Sequence, residues 1–295
     1  MPNQHRAYLL SGLSIFLVIF LTAFVAIRSY AADSSPGSLS SSTERIRIEG
    51  DNIVGLAPAN LSVFAAASLT EAFRELGQRF EEQHPQISIT FNFAGSQQLA
   101  QQLAQGAPAD LFASANQAQM NLTLEAERVD PNSITVFTHN RLAVISRIDN
   151  QPPIQTLSDL AKPQYKLILA ANEVPAGQYA QGFLEKTTSD HDLGPMYQGQ
   201  VLNNVVSYEA NVKAVLTKIV LGEADAGIVY QSDIAAKNKD HFKQIVIPNH
   251  LNIDAPYPLA TISDSQHPTQ AAAFAAYVLS PVGQQILENH GFLSQ

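Results

Sequence analysis

Short apolar runs alternate with amphipathic segments along residues 61–129, and this alternation restricts the fold more than any other feature of the sequence. The runs "LSVFAAA", "ISITFNFA" and "ADLFASAN" have the length and composition of buried strands. The segments that follow them, "SLTEAFRELGQRFEEQHP", "GSQQLAQQLAQGAP" and "QAQMNLTLEAERV", have the apolar spacing of helices. This order predicts an α/β fold with a mixed, mostly parallel sheet that is flanked by helices on both faces.

A second series of strands and helices follows the strand-rich segment "ITVFTHNRLAVISR". Strands are predicted in "YKLILAAN", "QVLNNVVS" and "AGIVYQSD", and helices in "AGQYAQGFLEKT" and "NVKAVLTKIVLGE". The chain then returns to strands in "KQIVIPN" and "YPLATIS" and ends in the helices "TQAAAFAAYVLSP" and "PVGQQILENHG". Two series of this kind predict two lobes joined by crossover strands. Lobe 1 is expected at 61–138 and 256–295, lobe 2 at 139–255, and a ligand cleft between them.

The N-terminal segment is expected to lie outside the folded part. Residues 1–31 have a short basic start, a long apolar stretch and the small residues Ser29 and Ala31 at a cleavage position, which predicts an export signal. Because the apolar stretch is about 20 residues long, an uncleaved membrane anchor stays open as the alternative. Residues 32–60 are rich in Ser, Gly and Pro and predict a flexible spacer. Either way, the fold is expected outside the cytoplasm.

Charge and cysteine content exclude several kinds of function. The formal net charge is −9, and it becomes −11 without residues 1–31, which contain Arg6 and Arg28. An acidic surface repels nucleic acid and anionic membranes, so no nucleic-acid partner is expected. There is no Cys, which excludes disulfides, thiol nucleophiles and Cys-ligated metals. The acidic charge would also repel an anion at long range, so any anion site must depend on local donors and not on the overall charge.

Signatures of catalysis are missing from the sequence. It contains no G-x-S-x-G elbow, no Walker loop, no G-x-G-x-x-G and no H-E-x-x-H, and its eight His do not pair at metal-ligand spacing. Most carboxylates lie on helix faces, where exposure to solvent is their usual role. The sequence therefore predicts a protein that is not an enzyme, with no cofactor and no directly coordinated metal ion.

Four predicted strands end in small or hydroxylated residues at a helix start. Ser68, Ser96, Ala176 and Val212 each lie at such a start, where free backbone N–H groups and the positive end of the helix dipole can bind an anion. In sheets of this kind these starts meet at the carboxyl edge of the strands, where ligands bind. Ordinary capping explains any single start equally well. Gly177, next to Ala176, is expected to keep the approach to the ligand open.

Tyr230 ends the apolar strand "AGIVYQSD". The pattern by itself does not decide between a half-buried core residue and a neutral O–H donor in the cleft.

Several of these stretches occur together in one known family. The combination of "VFAAASLTEAF", "FAGSQQLAQQLAQGAPADLFASAN", "VPAGQYA", "GIVYQSD" and the closing "GFL" resembles the periplasmic molybdate-binding proteins of bacterial ABC importers, the ModA family. The resemblance runs from about Leu61 to Phe292. It implies the two-lobed type II periplasmic-binding-protein fold and molybdate or tungstate held between the lobes by neutral donors.

The resemblance also assigns residues and partners. It places ligand contacts at five positions: Ser68, Ser96, Ala176, Val212 and Tyr230. It further implies a periplasmic monomer, tethered if the N-terminal helix is kept, that delivers its ligand to a membrane permease. In some relatives a serine run stands at Gly95 to Gln97, so the choice of Ser96 depends on the alignment of the following "QLA". Asn211 stands where an acid is common, and Asn caps a helix equally well.

Two alternative functions stay open on the sequence. The first is a binding protein for another oxyanion, such as sulfate or phosphate. The second is a secreted hydrolase, which would need a base near Ser68 that none of the motifs supplies.

Overall fold

The computed structural model describes residues 48–49, 52–53, 55–234 and 242–293. The predicted signal or anchor at 1–31 and most of the spacer at 32–60 lie outside these residues. Within the described part of the spacer, β1 (Ile48–Glu49) pairs with β2 (Asn52–Ile53). No helix among the described residues is long and apolar enough to cross a membrane.

The rest of the described chain is an α/β structure. The further strands are β3 (Ala59–Ala66), β4 (Ile87–Ala94), β5 (Leu111–Ala113), β6 (Thr135–Arg147), β7 (Leu167–Ala170), β8 (Val205–Glu209), β9 (Ala226–Tyr230), β10 (Phe242–Ile245) and β11 (Asp254–Thr261). The helices are α1 (Thr70–Gln83), α2 (Ser96–Ala104), α3 (Gln117–Glu125), α4 (Pro175–Thr187), α5 (Tyr197–Asn203), α6 (Val212–Val220), α7 (Gln231–Ile234), α8 (Pro268–Leu279) and α9 (Pro281–Asn289). Three 3-10 segments lie at Ala67–Leu69, Pro131–Ser133 and Leu157–Ala161.

The main sheet is mixed. Its strands lie in the order β4-β3-β5-β11-β6-β9-β7-β8, and β10 pairs with β6. β3 runs parallel to β4 and β5, and β7 runs parallel to β8 and β9, so each of the two series supplies a parallel group. β6 and β11 pair antiparallel with each other and lie between the groups. A helix start therefore follows the carboxyl end of several strands on both sides of the β6–β11 pair.

β6 and β11 are the strands that connect the two parallel groups. β6 pairs with β11 through its first half and with β9 through Leu142 to Ser146. β11 in turn pairs with β5 through Leu259 to Thr261. The predicted lobe boundaries, near residues 138 and 256, fall inside this pair and stay predictions.

The strand predicted over "QVLNNVVS" is wrong in its first half. Residues 200–203 belong to α5, and β8 begins only at Val205. Val and Leu favour strands in isolation, but Tyr197 and Val201 lie four residues apart and are both buried, as on one face of a helix. Burial of that face by the rest of the fold outweighs the local preference. The end of "AGIVYQSD" is likewise helical, because α7 begins at Gln231.

The core fixes the helices that surround the site. Aromatic rings of α1 and α8 pack edge to face, with the Phe80 and Phe274 centroids 5.3 Å apart. Phe73 packs in the same way against Phe137 of β6. A smaller apolar cluster, which includes Leu99, Leu103 and Met120, holds α2 and α3 against the sheet.

Candidate functional site

One small cavity brings together all five residues that the sequence singled out. The cavity is small, with a volume of about 10 Å³, which is far below the usual range for sites of drug-sized organic ligands. The lining residues come from both parallel groups: Ala66, Ala67, Ser68, Gly95, Ser96, Ala115, Val174, Pro175, Ala176, Asn211, Val212 and Tyr230. The small residues predicted at the strand ends thus surround a space suited to a small ligand.

Ser68 lies in the 3-10 segment between β3 and α1 and is buried, with 4% of its surface exposed. The preceding Ala66 and Ala67 line the cavity, and their small side chains leave its backbone accessible from that side. The Ser68 Oγ lies 2.9 Å from the phenol oxygen of Tyr257 on β11. Either of these two hydroxyls could be the donor, so the direction of this bond decides whether Ser68 has a proton left for the cavity.

Ser96 is the first residue of α2 and is almost fully buried. Its Oγ accepts a hydrogen bond from the backbone N–H of Ala115 at 3.0 Å. Because the oxygen already accepts from a fixed backbone group, its own proton is free to be donated elsewhere. The hydroxyl thus fits the role of a donor to a ligand in the cavity.

Ala176 is the second residue of α4, behind Pro175, and no side chain caps this helix. The first N–H groups of a helix have no partner within it, so the Ala176 N–H is available at the cavity. Gly177 does not line the cavity, contrary to the expected role. A Cβ at Gly177 would lie 2.0 Å from the Ala171 carbonyl oxygen, so its missing side chain lets the end of β7 approach α4.

Val212 is the first residue of α6, and Asn211 is its N-cap. The Asn211 Oδ1 accepts from the Ala214 N–H at 3.0 Å, which confirms the predicted cap. This bond satisfies Ala214 and leaves the Val212 N–H at the cavity without a partner inside the helix. The second parallel group therefore contributes two backbone N–H groups that have no partner within their helix, one from α4 and one from α6.

Tyr230 ends β9 and is 1% exposed. Its phenol oxygen has no hydrogen-bond partner among the described residues. Burial, followed by the neighbouring Tyr257 and Tyr179 phenols, raises the pKa of Tyr230 well above its ordinary value, so the phenol stays a neutral donor. An unpaired buried hydroxyl costs about 1–3 kcal/mol, and a ligand that accepts from it would remove this cost.

The cavity lining carries no charged side chain. Three charged side chains on adjacent helices pair with one another. The Lys213 Nζ lies 2.7 Å from a carboxylate oxygen of Glu71 on α1 and 3.1 Å from one of Asp233 on α7. Ligand binding in the cavity would therefore depend on neutral N–H and O–H groups and on the positive ends of helix dipoles. Among the described residues, no group of His, Asp or Glu is arranged to hold a metal ion.

Several polar residues around the site were missed by the sequence reasoning. Tyr257 and Asn140 lie behind Ser68 and are fully buried. Gln97 donates from Nε2 to the Ala210 carbonyl oxygen at 2.9 Å, which joins the two sides of the cavity. Nothing in the local sequence marks these residues, because their partners lie far away along the chain.

Comparison with known proteins places the chain in a family. Residues 61–293 match the model of the family described as bacterial extracellular solute-binding protein. The chain belongs to this family. Its members bind solutes, and the family description places them outside the cytoplasm.

Relatives among the extracellular solute-binding proteins include the molybdate-binding protein ModA of Mycobacterium tuberculosis. The two are 35% identical over 233 residues, which cover 79% of this chain and 84% of the relative. A solved substrate-binding domain, assigned to a molybdenum ABC transporter of Clostridium difficile, is 30% identical. It aligns over 80% of this chain and 99% of its own, with a TM-score of 0.61. The resemblance to the ModA family and the type II periplasmic-binding-protein fold are thereby confirmed.

The same fold also occurs in a protein with another ligand. The sulfate-binding protein SubI of Mycobacterium tuberculosis superposes with a TM-score of 0.69 at 18% identity, over 79% of this chain and 86% of SubI. At that identity the likeness shows the fold alone. The choice of anion must therefore be argued from the residues of the cavity.

Proposed function

We propose that this protein captures molybdate, and tungstate as an analogue of nearly equal size, and delivers it to the membrane permease of an ABC importer. The observation that carries the proposal is the convergence of neutral donors from both parallel groups on one small cavity. The 35% identity to a molybdate-binding relative supports the choice of ligand.

The proposed ligand contacts are the hydroxyls of Ser68, Ser96 and Tyr230 and the backbone N–H groups of Ala176 and Val212. Hydrogen bonds to a charged acceptor are shorter and stronger than those between neutral groups. Fixed donors and helix dipoles replace the water that the dianion loses on entry. No cofactor and no directly coordinated metal ion takes part, because the protein contacts the oxygens of the anion.

Size and protonation would determine which anion binds. Sulfate is smaller than molybdate, so a rigid ring of donors around the larger ion leaves sulfate with longer and weaker bonds. A protonated anion would direct its own O–H toward a set of donors that includes the Ala176 and Val212 N–H groups, which cannot accept, and this costs an unmade hydrogen bond. Molybdate binding should therefore weaken at acidic pH, where the oxyanion takes up protons.

Delivery would follow closure of the two predicted lobes over the ligand. β6 and β11 connect the parallel groups, and a hinge in this pair would bring the helix starts together. The permease would recognise the closed form of a periplasmic monomer. No covalent step is required, and no His or carboxylate that could act as a base lines the cavity beside Ser68.

The test is calorimetric titration of the purified, ligand-free protein with molybdate, tungstate, sulfate and phosphate. We expect tight one-to-one binding of the first two anions and no heat from the other two. Tight binding of sulfate or phosphate would retain the fold and overturn the ligand. If none of the four binds, the helix starts serve only as caps, and turnover of ester and phosphoester substrates would then test for a hydrolase.

A further inference from the structure

Tyr257 lies directly behind the cavity and contacts Ser68, which lines it. It does not line the cavity, and its side chain is fully buried beneath Ser68. Its phenol oxygen lies 2.9 Å from the Ser68 Oγ, a distance at which either hydroxyl could be the donor. Which of the two donates decides whether Ser68 has a proton left for a ligand.

Asn140 favours one direction for this hydrogen bond. The Asn140 Oδ1 accepts from the Arg141 N–H at 2.9 Å, so the amide nitrogen is the end that faces Tyr257. That nitrogen donates to the Ser232 Oγ at 2.8 Å and, more weakly, to the Tyr257 phenol oxygen at 3.4 Å. The Tyr257 oxygen thus accepts from Asn140, and its own proton needs an acceptor.

The Ser68 Oγ can accept the Tyr257 proton. Ser68 and Asn140 lie within hydrogen-bond geometry of this phenol oxygen, and the Asn140 nitrogen can only donate. The Tyr230 phenol lies next to Tyr257, but its oxygen makes no hydrogen bond of normal geometry among the described residues. Burial raises the pKa of Tyr257 far above its ordinary value, so the proton stays on the phenol. A buried O–H without an acceptor would be costly, which favours donation to Ser68.

We propose that Tyr257 is a positioning residue that donates to Ser68 and thereby directs the Ser68 hydroxyl proton into the cavity. This inference depends on the proposed function, since it assigns a role to a residue behind one of the proposed ligand contacts. The arrangement at Ser68 then matches that at Ser96, where the Ala115 N–H occupies the oxygen and frees the proton. Both serines become donors toward the cavity, as a fully deprotonated oxyanion requires.

The test is a double-mutant cycle in which molybdate affinity is measured for the natural protein, Ser68→Ala, Tyr257→Phe and the double variant. We expect Tyr257→Phe to weaken binding roughly tenfold when Ser68 is present, about the worth of one hydrogen bond. In the Ser68→Ala background the same change should alter affinity less than about twofold, because its effect passes through Ser68. A merely structural role would cost the same in both backgrounds and would overturn the inference.

A second variant tests the direction of the bond where Tyr257→Phe fails to fold. Replacement of Tyr257 by 3-fluorotyrosine keeps the hydroxyl but makes it a stronger donor and a weaker acceptor. If Tyr257 donates to Ser68, molybdate affinity should stay equal or rise. A loss of affinity would mean that a stronger donor at Tyr257 does not improve Ser68 as a ligand contact and would overturn the inference. If the natural protein binds none of the four anions, the proposed function fails instead.

Discussion

At the scale of single residues, the Tyr230 phenol lowers the stability of the ligand-free protein and is expected to raise its affinity for the ligand. Its buried phenol has no partner among the described residues. We therefore predict that Tyr230→Phe stabilises the ligand-free protein by about 1 kcal/mol, because an unsatisfied hydroxyl is removed. The same change should weaken molybdate binding roughly 10- to 100-fold, because a hydrogen bond to a charged ligand is worth about 1.5–3 kcal/mol. Denaturant unfolding and calorimetry measure the two effects.

Tyr277 supplies the matched control for this prediction. Its phenol oxygen is also buried without a described partner, but it lies outside the cavity. Tyr277→Phe should stabilise the protein to a similar extent and leave molybdate affinity unchanged. Equal affinity of the Tyr230→Phe protein and the natural protein would exclude Tyr230 as a ligand contact.

The raised pKa of Tyr230 leads to a prediction about pH. A phenol at its ordinary pKa of about 10 would be half ionised at pH 10 and would repel an anion. Because burial raises the pKa of Tyr230 above that value, the phenol should still be protonated there. The ratio of molybdate affinities of the natural protein and Tyr230→Phe should therefore stay constant from about pH 7 to pH 10. A ratio that falls about twofold by pH 10 would mean that the phenol ionises normally.

At the scale of secondary-structure elements, the junction between β7 and α4 decides where the Ala176 N–H lies. A Cβ at Gly177 would lie 2.0 and 2.6 Å from two backbone carbonyl oxygens. Backbone atoms cannot easily move aside to relieve such contacts. Gly177→Ala should therefore displace the start of α4, lower stability by about 1–3 kcal/mol, and weaken molybdate binding. Thermal unfolding and titration would show both losses.

Gly199 provides the control for Gly177. It is an exposed residue of α5, and a Cβ there would meet no atom within 4 Å. Gly199→Ala should leave affinity unchanged and keep or slightly raise stability, because Ala favours helix over Gly by up to about 1 kcal/mol. If both variants bind molybdate normally, the position of the α4 start does not matter for the ligand.

At the scale of the whole molecule, polar contacts join the two predicted lobes around the cavity. The Lys213–Glu71 ion pair connects α6 with α1, and the Asn116 Nδ2 donates to the Gln178 Oε1 at 2.8 Å, which connects the N-cap of α3 with α4.

Glu71→Gln should weaken the closed form and raise the molybdate dissociation rate about two- to fivefold, because a partly exposed ion pair contributes a free energy of that size. The association rate should change less, since affinity differences arise mostly in dissociation.

Stopped-flow tyrosine fluorescence can follow this dissociation, because the chain has nine Tyr and no Trp. The Arg128–Asp264 ion pair, 2.7 Å long, lies within predicted lobe 1 and provides the control. Asp264→Asn should leave the dissociation rate unchanged. An unchanged rate in Glu71→Gln would mean that the contact does not contribute to closure.

The alternation of strands and helices could be predicted from the sequence because each element depends on near neighbours in the chain. β4 and α3 begin where the pattern placed them, and Asn211 caps α6 as its side chain predicts. The same local chemistry pointed to Ser68 and Ser96. α5 is the exception, since burial of Tyr197 and Val201 depends on contacts that lie outside their own segment.

The sequence by itself determined the fold class, the starts of α2, α4 and α6 and, through family motifs, the candidate contacts, because capping and periodicity act over a few residues. α1 begins at Thr70, two residues after the predicted start at Ser68, because a 3-10 segment precedes it. Only the tertiary structure decided what stands behind those contacts. Tyr257 lies 189 residues from Ser68 along the chain, in a strand whose pattern resembles any other buried strand. Their approach depends on the register of β11 against β5 and β6, which is set by the whole sheet and which no local pattern encodes.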